Sequence, residues 1–176
     1  MTTHLRAMPS PRLSRRAVLF GIAVASFAAV ALALVSQHVY DMQPCPWCAL
    51  QRLIFVAIAG VALLGLAWRS PAGRRTVALL MLLLCGTGIA AALWQHFVAA
   101  ASASCNLTLA DRVLSSTMLD SLLPEIFQPR ASCADAAVDL LGVPYEFWSL
   151  GLYAAIESAV VWMLVRGRAA LARTAG

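Results

Sequence analysis

The chain is 176 residues long, the length of one domain. Apolar residues make up 61% of it and charged residues 12%, against about 45–50% and about 25% in ordinary soluble domains. A soluble fold of this size could not bury that much apolar surface, and a disordered chain would need the opposite balance. The net charge of +5 comes from thirteen arginines, no lysine and eight acids. These arginines flank apolar runs instead of forming a stripe with interleaved aromatics, which points to a lipid bilayer and away from nucleic acid.

Four apolar stretches, about residues 17–36, 50–68, 76–99 and 147–165, each approach the ~20 residues that a helix needs to cross the hydrocarbon. A backbone in lipid must satisfy its own hydrogen bonds, so helices are expected. The fold class is therefore an all-α membrane protein, a four-transmembrane-helix bundle. Residues 1–16 form a basic tail, 17–166 the membrane domain and 167–176 a second tail. Arg15-Arg16 before the first run and the small residues Ala31–Ala33 resemble a secretory signal. Its apolar core exceeds the usual ~7–15 residues, so an uncleaved first span is expected.

Arginine placement sets the orientation. Arg6, Arg12, Arg15 and Arg16 precede the first span; Arg69, Arg74 and Arg75 lie between the second and third; Arg166, Arg168 and Arg173 follow the fourth. The other side holds Arg112 and Arg130, with Arg52 just inside the second span. By the positive-inside rule both termini are cytoplasmic, and two loops, about 37–49 and 100–146, face outward. Tyr40, Trp47, Trp94, Tyr145 and Trp148 fall at the outer boundary, Trp68 and Trp162 at the inner one. Within the long second loop, Val113 to Phe127 is apolar enough for a short amphipathic helix on the membrane surface, stopped near Pro124. Gly60, Gly65, Gly86 and Gly88 suit close helix packing.

Four of the five cysteines fall on the outward side, where disulfides persist. Cys45 and Cys48 form Cys-Pro-Trp-Cys in the first loop, while Cys105 and Cys133 bracket most of the second. A disulfide between cysteines 28 residues apart restrains a long loop, but a Cys-x-x-Cys ring restrains almost nothing; it is usually strained, reducible and redox-active. A four-thiolate zinc or copper site is the competing reading, although such sites usually come as two close pairs. Pro44 and Pro46 lead into the second span, which puts Cys48 in its first turn, where unpaired N–H groups and the positive dipole end favour a thiolate. Arg52 follows four residues on, on the same face. It could snorkel to the headgroups or stabilise a thiolate or a reduced acceptor. Electrons taken from an external thiol must leave again. With no haem-attachment motif and no dinucleotide fingerprint, a lipid-soluble two-electron acceptor, a quinone, meets that need.

The segment Pro44-Cys-Pro-Trp-Cys-Ala-Leu-Gln-Arg52, four spans and a cysteine-paired second outer loop resemble the bacterial disulfide bond formation protein B (DsbB) family. Leu123-Pro-Glu-Ile-Phe, Ser132-Cys-Ala and Leu141-Gly-Val-Pro look like that family's approach to its last span, and the resemblance covers about residues 17–166. It implies a thiol:quinone oxidoreductase of the bacterial inner membrane, which reoxidises a periplasmic DsbA-type thioredoxin-fold oxidase and passes electrons to ubiquinone or menaquinone. Cys105 would take the partner, Cys133 would exchange with Cys45, and Cys48 would face the quinone with Arg52 as its cation. The family's polar residue near the outer end of the third span is matched by His96, with Gln95 beside it; a satisfied interfacial histidine is the other reading. A haem between His38 and His96 would leave the cysteines unexplained. A reductase of the vitamin K epoxide type would carry its membrane dithiol near a late span, not at the start of the second. Glu157, mid-way along the fourth span, suits a neutral packing carboxyl or a proton route, and Cys85 a small packing residue.

Overall fold

Side-chain caps open three of the four long helices. Ser14 Oγ accepts from the Ala17 N–H at the start of α1 (Arg15–Val39). Cys45 Sγ accepts from the Cys48 N–H, with Pro46 at the first helical position of α2 (Pro46–Ala67). Ser70 and Pro71 do the same for α3 (Pro71–Trp94), where Gly73 donates to Ser70 Oγ. Proline is tolerated there because its missing N–H would have had no partner within the helix. This computed structural model describes residues 14–68, 70–101 and 108–174, with side chains to Arg166.

The caps lengthen the helices beyond their apolar runs. α2 begins at Pro46 and α3 at Pro71, not near 50 and 76, because a capped turn can be polar and hydropathy does not see it. α3 continues through a π turn, Gln95–Ala99, in which the Ala100 N–H reaches the Gln95 carbonyl. Four segments, Arg15–Val39, Pro46–Ala67, Pro71–Ala99 and Tyr145–Arg166, are long and apolar enough to cross a membrane. The last belongs to a helix that runs on to Thr174, through most of the expected C-terminal tail.

α1 packs along α2, α2 along α3, and α3 along the final helix, whereas the final helix touches α1 only sparsely. The bundle is thus closed on three seams and open on the fourth. Leu19, Ile58, Met81, Cys85 and Val160 fill its centre. At Gly88 a Cβ would lie 2.6 Å from the Tyr153 ring, so glycine lets that ring stack on Phe55 at 4.2 Å between centroids. Tyr153 then donates to the Gln51 carbonyl at 2.9 Å. Gly65 also packs closely, against Val77, but Gly60 and Gly86 face open space. Two of the four expected packing glycines therefore serve that role.

The loop after α1 and the loop after the π turn meet at one end: the Pro44 carbonyl accepts from the Arg130 and Ala131 N–H groups at 2.9 and 3.2 Å. The second loop holds three short helices, α4 (Leu109–Ser116), α5 (Leu119–Leu122) and α6 (Pro124–Phe127), in place of the single helix expected over Val113–Phe127. α4 starts early because Thr108 and Asp111 form a capping box, and the helix breaks at Met118, which has a positive φ of 55°. Leu114 and Phe127 turn inward onto Ala49 of α2, while Leu109, Met118, Leu122 and Leu123 stay exposed. A hairpin the sequence did not announce, β1 (Asp139–Leu140) with β2 (Val143–Pro144), leads into the last helix, α7 (Tyr145–Thr174). Its two-residue turn takes positive φ at both Leu141 and Gly142, and Leu141 is 86% exposed.

Candidate active site

Three sulfurs converge where the loops meet α2. Cys45, as N-cap, is fully buried, and its Sγ lies 2.8 Å from Cys48 Sγ in the first turn. On its other side Cys45 meets the thiol of Cys133, carried in by the second loop. Cys45 is thus the middle sulfur of three. Hydrogen bonding to Cys133, then to Cys48, together with burial, raises the Cys45 pKa far above the ordinary thiol range. The same proton, donated to Cys133, pulls the Cys133 pKa down against the opposing effect of burial. Cys105 lies outside the described residues, and Cys85 is buried in the core away from this cluster.

A polar layer backs the sulfurs. Gln95 Nε2 donates to Cys48 Sγ at 3.3 Å, and its Oε1 accepts from Gln51 Nε2 at 2.8 Å. Arg52 is 5% exposed and does not snorkel. Its guanidinium donates to Gln37 Oε1 at 2.7 Å, to the Ile126 carbonyl at 3.0 Å and to the Ala33 carbonyl at 3.2 Å. Gln37 in turn donates to the Glu125 carbonyl at 3.3 Å. One cation therefore ties α1 and the second loop to α2. Glu125 also pairs with Arg130 at 2.8 Å and with His38 at 3.7 Å.

Cys48, Arg52, Gln51 and Gln95 line one end of a cavity of about 1270 Å³. Its walls continue down α1 past Leu32 and Ala29 to Ala25 and across to Trp148 and Leu152 of α7. From Tyr40 to Ala25 is fifteen helical residues, roughly 20 Å at 1.5 Å per residue. The cavity follows the sparsely packed α1–α7 seam, so it opens sideways where lipid would lie. A polar, sulfur-bearing head above a long apolar trough fits a molecule with a small oxygenated ring and a greasy tail.

His96, the expected quinone contact, does not line this cavity. Its Nδ1 lies 2.6 Å from Glu146 Oε1, and its ring packs against Phe97 and Phe147. Gln95 takes the place beside Cys48. Sequence reasoning missed the roles of Gln37, Gln51 and Glu146. A signal existed for the amides: Gln37, Gln51 and Gln95 are polar residues at the ends of three successive apolar spans nearest the two cysteine-bearing loops. Nothing in the sequence paired Glu146 with His96. Glu157 is half-buried and lines a shallow groove on α7 with Ala154, Ser158 and Trp162.

A family model described as Disulfide bond formation protein DsbB matches residues 15–164. The Disulfide bond formation protein B of Herminiimonas arsenicoxydans is 35% identical over 138 residues, covering 77% of this chain and 85% of that protein. Its counterpart in Aromatoleum aromaticum is 33% identical over 165 residues, covering 92% and 99%. A Disulfide bond formation protein B 2 of Burkholderia lata is 34% identical over 155 residues, covering 86% and 89%.

Proposed function

Because the chain belongs to the DsbB family of disulfide bond formation proteins and is a multi-pass membrane protein, we propose that it is a thiol:quinone oxidoreductase. In this reading it reoxidises a periplasmic DsbA-type thioredoxin-fold oxidase and passes the electrons to ubiquinone or menaquinone. The observation that carries the reading is the position of Cys48: one side of it touches Cys45, and the other opens into an apolar cavity that reaches the lipid seam. The bacterial inner membrane with both loops periplasmic is the orientation favoured by the arginine distribution.

The residues divide the work as follows. Cys105 receives the partner's attacking thiolate, and Cys133, displaced from it, becomes the leaving thiolate. Cys133 then attacks Cys45, whose bond to Cys48 breaks. Only a short movement is needed, since Cys45 already touches both sulfurs. A bound quinone supplies an acceptor for two electrons and two protons. Cys48 would face it, with Gln95 holding the Cys48 sulfur in place and Arg52 presenting a fixed cation at the polar end of the cavity. The partner's second thiol breaks its bond to Cys105, the freed Cys105 takes Cys133 back from Cys45, and the Cys45–Cys48 pair left reduced gives two electrons to the acceptor, so both protein disulfides are regenerated for each partner dithiol oxidised.

The test is an anaerobic assay of the purified protein with a reduced thioredoxin-fold oxidase and a short-chain ubiquinone, following quinone absorbance. Stoichiometric loss of quinone and of partner thiols is expected. Partner oxidation without quinone consumption would refute the reading.

A further inference from the structure

Reducing a quinone takes two protons as well as two electrons, and neither Cys48 nor Arg52 supplies them repeatedly. The cavity wall carries three carboxylic acids, Asp41, Asp135 and Glu146. The two aspartates are exposed, but Glu146 is 3% exposed in the first turn of α7. It binds His96 Nδ1 through Oε1 alone, and Oε2 makes no hydrogen bond among the described residues. His96 is 32% exposed, which gives the buried acid one imidazole between itself and the outside. Its Nε2, across the ring from Glu146, is the atom that would exchange with water.

We infer that Glu146 and His96 form the proton entry of this site: Glu146 gives protons to the acceptor in the cavity, and His96 refills it from the outer surface. The inference rests on the quinone reading above. Oxidation of the partner dithiol releases two electrons and two protons, and the acceptor gains the same number. Exchange passes the electrons along as thiolates, so the partner's protons leave to the outer surface, Cys48 is left without one, and the acceptor's protons need a way in. Each delivery leaves Glu146 as the carboxylate; His96 gives it the Nδ1 proton and takes another at Nε2. Imidazole passes protons in this way because its two nitrogens exchange donor and acceptor roles. Phe97 and Phe147 flank the ring and hold it in line.

A purely structural ion pair at a helix start predicts something different, so Glu146→Gln separates the two. Glutamine keeps the size and a hydrogen bond to His96 but cannot give up a proton in the same way. Proton transfer by a positioned group contributes about 100-fold or more. We expect kcat for short-chain ubiquinone reduction to fall by about that factor with KM little changed, and thiol exchange with the partner to stay at the wild-type rate. Acetate should restore part of the rate in Glu146→Ala, and His96→Gln should show the same kcat loss. A readout that needs no acceptor is the histidine ¹⁵N spectrum of the quinone-free protein, in which the His96 Nδ1 signal should report a proton shared with a carboxylate and should move in Glu146→Gln. Normal turnover by Glu146→Gln, or an unmoved His96 signal, overturns the proton route. Failure of the wild-type protein to reduce quinone at all overturns the parent reading with it.

Discussion

Replacing Arg52 tests the site and the loop together. The guanidinium makes two bonds that nothing else replaces, to Gln37 Oε1 and to the Ile126 carbonyl; the Ala33 carbonyl keeps the Ser36 hydroxyl at 2.9 Å. Side-chain hydrogen bonds in membrane proteins average about 0.6 kcal/mol and reach about 1.7, while bonds to charged groups in general run about 1.5–3 kcal/mol. Only the Ile126 bond joins α6 to α2, so at about 1 kcal/mol Arg52→Ala raises the open population of the loop roughly fivefold at 1.4 kcal/mol per tenfold. Trypsin reads that population at Arg130, whose own N–H is pinned to Pro44 beside the released segment. When reclosing outpaces cleavage, the cutting rate follows the open fraction, so cleavage after Arg130 should accelerate by about the same factor. Arg52→Lys keeps the charge but has one ammonium for two acceptors, so it should fall between. In both variants KM for quinone should also rise. Unchanged cleavage at Arg130 in Arg52→Ala would refute the clamp, whatever happens to KM.

Cys48→Ser should abolish quinone reduction while an adduct between Cys105 and the partner still forms on non-reducing gels; ordinary turnover would remove Cys48 from the cavity step. Gln95→Leu deletes one bond to Cys48 Sγ and strands the Gln51 amide, so about 1 kcal/mol, or roughly fivefold in kcat, should be lost in steady-state quinone assays without slower partner exchange. Gly88→Ala pushes on the Tyr153 ring and should destabilise the bundle by about 1–3 kcal/mol, seen as earlier dye labelling of buried Cys85 on heating; Gly60→Ala, with open space around it, should not. Leu141→Asn relieves a bulky residue at φ 56° and should raise the same unfolding temperature, by about 1 kcal/mol of stability.

The bundle was legible because a bilayer leaves little choice: a run of about 20 apolar residues must be a helix. Cys45 and Cys48 were legible for a local reason, since Pro46 can only open the helix that Cys45 caps. Beyond local chemistry the reading weakened. The second loop breaks at Met118, where no glycine or asparagine marks a left-handed residue, so an apolar periodic stretch resolved into three pieces. The Leu141-Gly142 hairpin has two-residue strands, too short to show alternation. That Gln95 and not His96 reaches Cys48 turns on one residue of helical phase at the end of α3, which composition does not register. The partners of Arg52 come from α1 and α6, 15 and 74 residues away, and only the folded chain joins them.

Cys45 stands between two neighbours but can share a bond with one at a time. Joined to Cys48, it leaves Cys133 to its loop mate; joined to Cys133, it leaves Cys48 unattached beside the cavity. A free sulfur at Cys48 therefore exists only after its bond to Cys45 has opened. In the proposed cycle, alkylation mapped to that one position counts the molecules halted between the two disulfide exchanges and the cavity step, with no need to trap either substrate.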